Sequence, residues 1–278
     1  MTVNRIVEQN LGSALILEDD VDWDMRLKPQ LQTFAKAARA LLSPRTAYLN
    51  SIDKSFIPSD VTKIYKKISF SLDDLPIPAR PRKSPYGDEW DMLWLGHCGT
   101  NFRTIAPTSR ILIRDDPTVP SPLHLKPHPF AAPDTYGTLY PPHTRLVHHP
   151  SGSSCSLAYA LSQRGARKLL YEFGVKAFDK QIDFMLGDFC DNTNETIHGS
   201  SGGVASEGGG RNESRGVCVA VQPPIFSHHY PEGAKSDIYA TGGGLVRMVG
   251  TLYVRWSMRM NFGRLVSGKK EVLDQWPD

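Results

Sequence analysis

"ALILEDDVDWD", residues 14–24, sets the problem that the rest of the sequence must answer. Four apolar residues run straight into Glu18, Asp19 and Asp20, with Asp22 and Asp24 just behind. Five carboxylates in seven positions repel one another. A solvated loop tolerates them because water screens the charge. A half-buried strand end does not, unless a cation or a set of hydrogen-bond donors meets them there. Working outward, "RLKPQLQTFAKAARALL" (26–42) follows with Leu27, Leu31, Phe34, Ala38 and Leu41 on one helical face, weakened early by Pro29. A buried strand, an acidic turn and an amphipathic helix together point to an α/β sheet.

Other segments repeat that order. "VNRIVEQNLG" (3–12) has helical spacing at Val3, Ile6, Val7 and Leu11, with Gly12 as its stop. "WDMLWLG" (90–96) is a second buried strand, followed by "HCGTNF"; "RILIR" (110–114) is strand-like. "CSLAYALS" (155–162) reads as a strand that hands over at Ser162, a good N-cap, to the helix "QRGARKLLYEF", stopped by Gly174. "KQIDFMLGDFC" (180–190) is a short helix, and "GVCVAVQPP" (216–224) a strand closed by two prolines. Residues 55–90, with many Pro, Ser and Lys, read as a long excursion, and 105–150, around "RILIR", are rich in Pro and His. The tail 246–278 opens amphipathic, with basic and aromatic residues interleaved to Val266. The expected fold is a single-domain α/β sandwich around a mostly parallel sheet, in which ligands gather outside the carboxyl ends of the strands. Since a helix precedes the first strand, the sheet's first strand is expected upstream of Met1.

At 278 residues the chain can bury a sizeable core. Its formal net charge of +3 is too small to argue for nucleic acid. No apolar run reaches the length of a membrane span, and the polar start shows no signal peptide or anchor within the chain.

Cys98, Cys155, Cys190 and Cys218 show no C-x-x-C spacing, so they are four buried thiols or two disulfides. Cys190 and Cys218 bracket residues 191–215, a Gly/Ser-rich insertion that cannot order itself, and a bridge there would be mechanically sensible. The insertion holds two N-x-[ST] sequons, at Asn194 and Asn212, which lean towards the secretory pathway.

A strand ending in Glu-Asp-Asp can hold Mg²⁺ or Mn²⁺. Its bland counterpart is a solvated acidic turn with Asp22 or Asp24 capping the next helix. "ALILEDDV", "DMLWLGHC" (91–98), "SCSLAYALSQRGARKLL" (154–170), "KQIDFML" (180–186) and "VQPPIFSHH" (221–229) with "KSDI" (235–238) follow in that order. Across roughly residues 5–240 this resembles glycosyltransferase family 25, which includes lipooligosaccharide and collagen galactosyltransferases, and it looks most like fungal members.

The resemblance implies a GT-A nucleotide-binding sandwich and inverting transfer of a hexose, usually galactose. The donor would be a UDP-sugar, the acceptor a glycan or glycoprotein hydroxyl, and the cofactor Mn²⁺ or Mg²⁺, in the Golgi or ER lumen. It maps the acidic motif onto Glu18, Asp19 and Asp20. Asp20 would be the principal metal ligand, and Glu18 would share the metal or lie at the ribose. Asp183 would be the general base with Asp188 in reserve. His228, beside His229, would be a third metal or diphosphate contact, and His97 would face the sugar. Cys98 reads as structural; His148 and His149 have no assigned role. The alternative is an inactive GT-A-like binding or scaffold protein that keeps the fold without the chemistry.

Overall fold

The protein is described by a computed structural model covering residues 2–43, 68–76, 81–102, 109–125, 139–176, 178–191, 216–231 and 250–278. The sequons, "KSDI" and most of the 191–215 insertion lie outside the described residues.

A seven-stranded sheet forms the middle layer, in the order β1-β9-β4-β10-β7-β6-β3. Its strands are β1 (Ser13–Leu17), β3 (Ser69–Ser71), β4 (Met92–Gly96), β6 (Arg110–Ile113), β7 (Arg145–His148), β9 (Ala158–Ser162) and β10 (Cys218–Gln222). The aliphatic runs of β4, β6 and β10 are buried throughout, as strands covered on both faces must be. On one face packs helix α2 (Leu27–Leu41), inserting Phe34, Ala37, Ala38 and Leu41 against Leu93, Leu95, Ile111, Val147, Val219 and Val221. Pro29 falls in its first turn, where no intrahelical N–H is needed, so the helix is not interrupted. On the other face lie α1 (Thr2–Glu8), α3 (Gln163–Tyr171) and α4 (Ile182–Cys190), closing over Met92, Trp94, Tyr159, Leu161 and Ala220.

Three expectations need correction. The sheet is mixed rather than mostly parallel: only β4–β10 and β3–β6 are parallel among its neighbouring pairs. Alternating strands and helices suggested crossovers, but β9 inserts antiparallel between β1 and β4. Second, β1 is an edge strand with Leu15 and Leu17 45% and 42% exposed, not a buried one. Ala14 and Ile16 face the α1 side, and the alternate residues face solvent. Third, glycine stops neither helix it was assigned to. Asn10, at φ 53°, ends α1, and the turn after α3 runs on from Glu172 to Lys176 through Gly174. Ser162 does cap α3, its hydroxyl accepting from the Gly165 amide at 3.0 Å.

Two small sheets sit beside the large one: β2 (Val21–Trp23), β11 (Phe226–Tyr230) and β12 (Gly250–Thr251), and the pair β5 (Gly99–Asn101) and β8 (Ser151–Ser154). The C-terminal segment continues into α5 (Met258–Val266) and folds back, with Asn261 binding both backbone groups of Leu273. Cys98 is bonded to Cys155 and Cys190 to Cys218, each with Cα atoms 5.4 Å apart. The second bridge ties α4 to β10 across the insertion.

Asp91, buried at the start of β4, pins α3 to the sheet by accepting from Arg164 at 2.6 Å and Lys168 at 2.8 Å. The helix passes so close that a β-carbon at Gly165 would stand 2.1 Å from the Asp91 carbonyl oxygen. Gly165→Ala is expected to destabilise the protein by about 1–3 kcal/mol, the usual range for overpacking. Gly263→Ala on α5 meets open space and should be neutral or gain up to about 1 kcal/mol of helix propensity. Urea unfolding of the two variants beside the parent checks both signs.

Candidate functional site

The five carboxylates divide into two sets with different jobs. Strand β2 carries Asp22, and the two-residue period continues to Asp24 on the same side, facing the C-terminal segment. Both are fully buried and neither faces an open cleft. Asp22 accepts from the Thr251 hydroxyl at 2.6 Å, the Arg259 amide at 3.1 Å, the Trp23 amide at 2.8 Å and the Ser257 hydroxyl. Asp24 takes both Nε and Nη2 of Arg26 at 2.8 Å, plus the amides of Arg26 and Trp256. Buried charge satisfied by this many donors is an anchor. Neither carboxylate caps α2 in the manner of a solvated turn: residue 26 stands between Asp24 and the helix, its guanidinium stacked on Trp256.

The turn between β1 and β2 holds the other set. The Glu18 amide still pairs with the carbonyl of Leu157, just before β9, at 2.9 Å, so the turn leaves the sheet edge directly. Strand β11 runs antiparallel to β2, and the His229 amide donates to the Asp20 carbonyl at 3.0 Å. That pairing carries His228 to Asp20, with its Nε2 3.4 Å from Oδ2. Glu18, Asp20 and His228 each offer one ligand atom within 4.8 Å of the other two. Two carboxylates and an imidazole suit a divalent ion that keeps open positions. Two of the three are themselves held: Ser156 donates to Glu18 Oε1 at 2.7 Å, and the Tyr230 hydroxyl lies 3.5 Å from His228 Nδ1. Burial, then the charge of Asp20, pushes the Tyr230 phenol above its ordinary pKa, so it stays protonated.

Asp19 is exposed and stands outside this group; its carbonyl accepts from Arg259. His229, one residue along β11 from His228, points to the opposite face. There its Nδ1 is 2.9 Å from Thr251 Oγ1 and 3.7 Å from Asp22 Oδ2. Alternation along the strand therefore assigns one histidine to the acidic turn and the other to the anchor.

Asp183 opens α4 and is half-buried. One carboxylate oxygen accepts from the Phe184 amide at 2.9 Å, and the other from the Cys155 amide at 3.1 Å. The next residue, Ser156, is the one bonded to Glu18. A single dipeptide thus links Asp183 to the acidic turn. Asp188 is exposed on the same helix and paired with Lys180 at 2.5 Å.

His97 is buried behind the end of β4, its Nε2 2.9 Å from the Val221 carbonyl. His148, at the end of β7, sets Nδ1 3.0 Å from the His149 carbonyl and lies edge-on to Phe102. His149 in turn reaches the Cys218 carbonyl at 2.8 Å. Each of the two buried rings is neutral with its N–H committed to a carbonyl, because a neutral imidazole has one donor. Burial pushes His97 down to about 4 and His148 down to about 3.

Sequence reasoning missed Ser156, Tyr230 and the separate duty of Asp22 and Asp24. The run "SGSSCS" (151–156), small and polar between two strands, was the available signal for Ser156. For Tyr230 it was the β-prone "IFSHHY" (225–230) set between prolines.

The two buried histidines make stability pH-dependent. In the unfolded chain each titrates near 6.5, so below that pH the unfolded state binds more protons than the native state. Their contribution is fully present above about pH 6.5 and is lost as pH falls towards about 4 for His97 and about 3 for His148. Urea-unfolding free energies should decline from pH 7 to 4.5, and His97→Gln/His148→Gln should decline less steeply. Parallel slopes would contradict this.

Comparison of the chain with protein-family models, with curated proteins and with solved structures found no match.

Proposed function

We propose that the chain is a metal-dependent inverting glycosyltransferase of GT-A-like fold. It would move a hexose, galactose by the sequence resemblance, from a UDP-sugar to a glycan or protein hydroxyl. The observation that carries the reading is the convergence of Glu18, Asp20 and His228 at one point, with Asp183 joined to Glu18 through Cys155 and Ser156. Glu18, Asp20 and His228 would hold Mn²⁺ or Mg²⁺, which supplies charge neutralisation for the departing diphosphate. Asp183 would accept the proton of the acceptor hydroxyl as its oxygen attacks the anomeric carbon. The sugar–phosphate C–O bond breaks on the opposite face, and UDP leaves with the electron pair. Asp19 and Asp20 are exposed, so a nucleotide would approach the carboxylates from solvent. Asp188, tied to Lys180 on the surface, is the weaker candidate for the base.

Two disulfides fit an oxidising compartment such as the secretory lumen. No helix among the described residues is long and apolar enough to cross a membrane.

One observation favours the second reading, a binding module without turnover. Both carboxylate oxygens of Asp183 already accept backbone amides, as a purely structural aspartate at a helix start would. Two variants separate the readings. Asp20→Asn should abolish Mn²⁺-dependent UDP binding in titration calorimetry while leaving the thermal midpoint within a few degrees. Asp183→Asn should leave that binding nearly unchanged and lower transfer from UDP-galactose by about 10² to 10⁴-fold. Unchanged turnover in Asp183→Asn would remove it as the base. Unchanged Mn²⁺-dependent binding in Asp20→Asn would remove the metal site.

A further inference from the structure

The connection between β8 and β9 is made by Cys155, Ser156 and Leu157. Cys155 adopts φ 61°, the left-handed region that a residue with a β-carbon seldom occupies. Glycine would be the default there. A cysteine instead holds the position, and every group it has is engaged. Its N–H donates to Asp183 Oδ2 at 3.1 Å, and its carbonyl accepts from Trp94 Nε1 at 3.0 Å. Its sulfur is bonded to Cys98, whose own amide donates to the Ser154 carbonyl at 2.9 Å. The Cys98 bridge and the Trp94 indole both tie the turn to β4, which is buried throughout, and its exit. Ser156 then donates its hydroxyl to Glu18 Oε1 at 2.7 Å, and Leu157 accepts from the Glu18 amide.

The turn therefore has a rigid side, made by β4, Trp94 and Cys98, and an outward side that grips two carboxylates from different elements. Asp183 comes from α4 and Glu18 from the β1–β2 turn. The two carboxylates reach the turn at neighbouring residues, Asp183 at the Cys155 amide and Glu18 at the Ser156 hydroxyl. Sheet pairing alone would leave Glu18 beyond the end of β1 with its side chain free to choose among rotamers. Residues held in sparsely populated backbone conformations persist only where their surroundings enforce them, and they concentrate where geometry matters for function.

We propose that Cys155 and Ser156 are positioning residues of this site: the left-handed turn locked to Cys98 fixes Glu18 and Asp183 relative to one another. The inference rests on the metal site proposed above. It adds that Ser156 presets the Glu18 carboxylate for a divalent cation, and that the Cys98–Cys155 bridge sets the turn from which Ser156 acts.

Mn²⁺ alone, titrated calorimetrically into the full chain, tests this, with thermal midpoints recorded for every variant. Removing an outer-shell partner typically costs 10 to 100-fold in metal affinity. Ser156→Ala should therefore weaken Mn²⁺ by about that factor at an unchanged thermal midpoint, and Ser156→Thr, which keeps the hydroxyl, should restore most of it. Cys98→Ala/Cys155→Ala, which keeps a β-carbon at this φ but loses the bridge that holds it there, should also weaken Mn²⁺. Cys98→Ala/Cys155→Gly, which supplies that φ without a bridge, should bind more tightly than the alanine pair. A merely structural turn would move the midpoints and leave affinity unchanged in whatever remains folded. If the parent binds Mn²⁺ and a folded Ser156→Ala binds it equally, the positioning role is wrong and the metal site stands. If the parent does not bind Mn²⁺, the metal site itself is wrong and the positioning role falls with it. Should Ser156→Ala fail to fold, the alanine and glycine pairs decide: equal affinities overturn the role of the turn.

Discussion

The burial of Asp22 and Asp24 against the C-terminal segment is the constraint on which the site depends. Two carboxylates without solvent would be prohibitively costly without donors. The hydroxyls of Thr251 and Ser257, the amides of Trp256 and Arg259, and the Arg26 fork supply them. Because side chains alternate along β2, that arrangement fixes its register, and a slip of one residue would turn both aspartates away from their donors. Fixing β2 fixes β11, which pairs with it from Val21 to Trp23. Fixing β11 decides that His228 meets Asp20 while His229 meets the anchor. The repulsion within the acidic run is relieved by sorting its members between the β1–β2 turn, near water, and the buried side of β2 and its extension.

The same sorting separates stability from chemistry. Asp22 and Asp24 are dry and fully bonded, as groups that hold a fold together must be. Glu18 is partly exposed and Asp20 exposed, as the proposed cation site requires. Between them and Asp183 stands the Cys155–Ser156 turn, backed by Trp94 and the Cys98 bridge. Both Glu18 and Asp183 are thus referred to β4, a strand buried over its whole length. The metal and base readings remain proposals, and their support is this shared frame.

Much of the fold was legible in the sequence because burial leaves simple marks. β4, β6 and β10 are continuous aliphatic runs, α2 has a clean helical face, and Ser162 sits at a cap. Strand direction was not legible, since an apolar run does not say which way its neighbour runs, and β9 entered antiparallel beside β1 and β4. The exposure of β1 was hidden for a similar reason: "ALIL" looks buried, but an edge position leaves Leu15 and Leu17 half in water. Of the site, Glu18, Asp20 and His228 were singled out through the family resemblance, the residues alone leaving a solvated acidic turn equally open. Their separation from Asp22, Asp24 and His229 could not be read, because it depends on the pairing of β2 with β11 and on the distant segment 250–259. His97 looked suited to a cleft at a strand end, yet the Val221 carbonyl holds it in the interior. Asp183 was placed correctly at a helix start, but its tie to Cys155 needs a left-handed turn that no local pattern announces.

The most direct test of the metal-site claim is anomalous diffraction at the manganese edge from crystals of the full chain soaked with Mn²⁺ and UDP. The expected result is one strong peak enclosed by Glu18, Asp20 and His228, at about 2.0–2.6 Å from their ligand atoms, with the UDP diphosphate on its open side. A peak elsewhere, or UDP bound with no metal at these three residues, would contradict the claim.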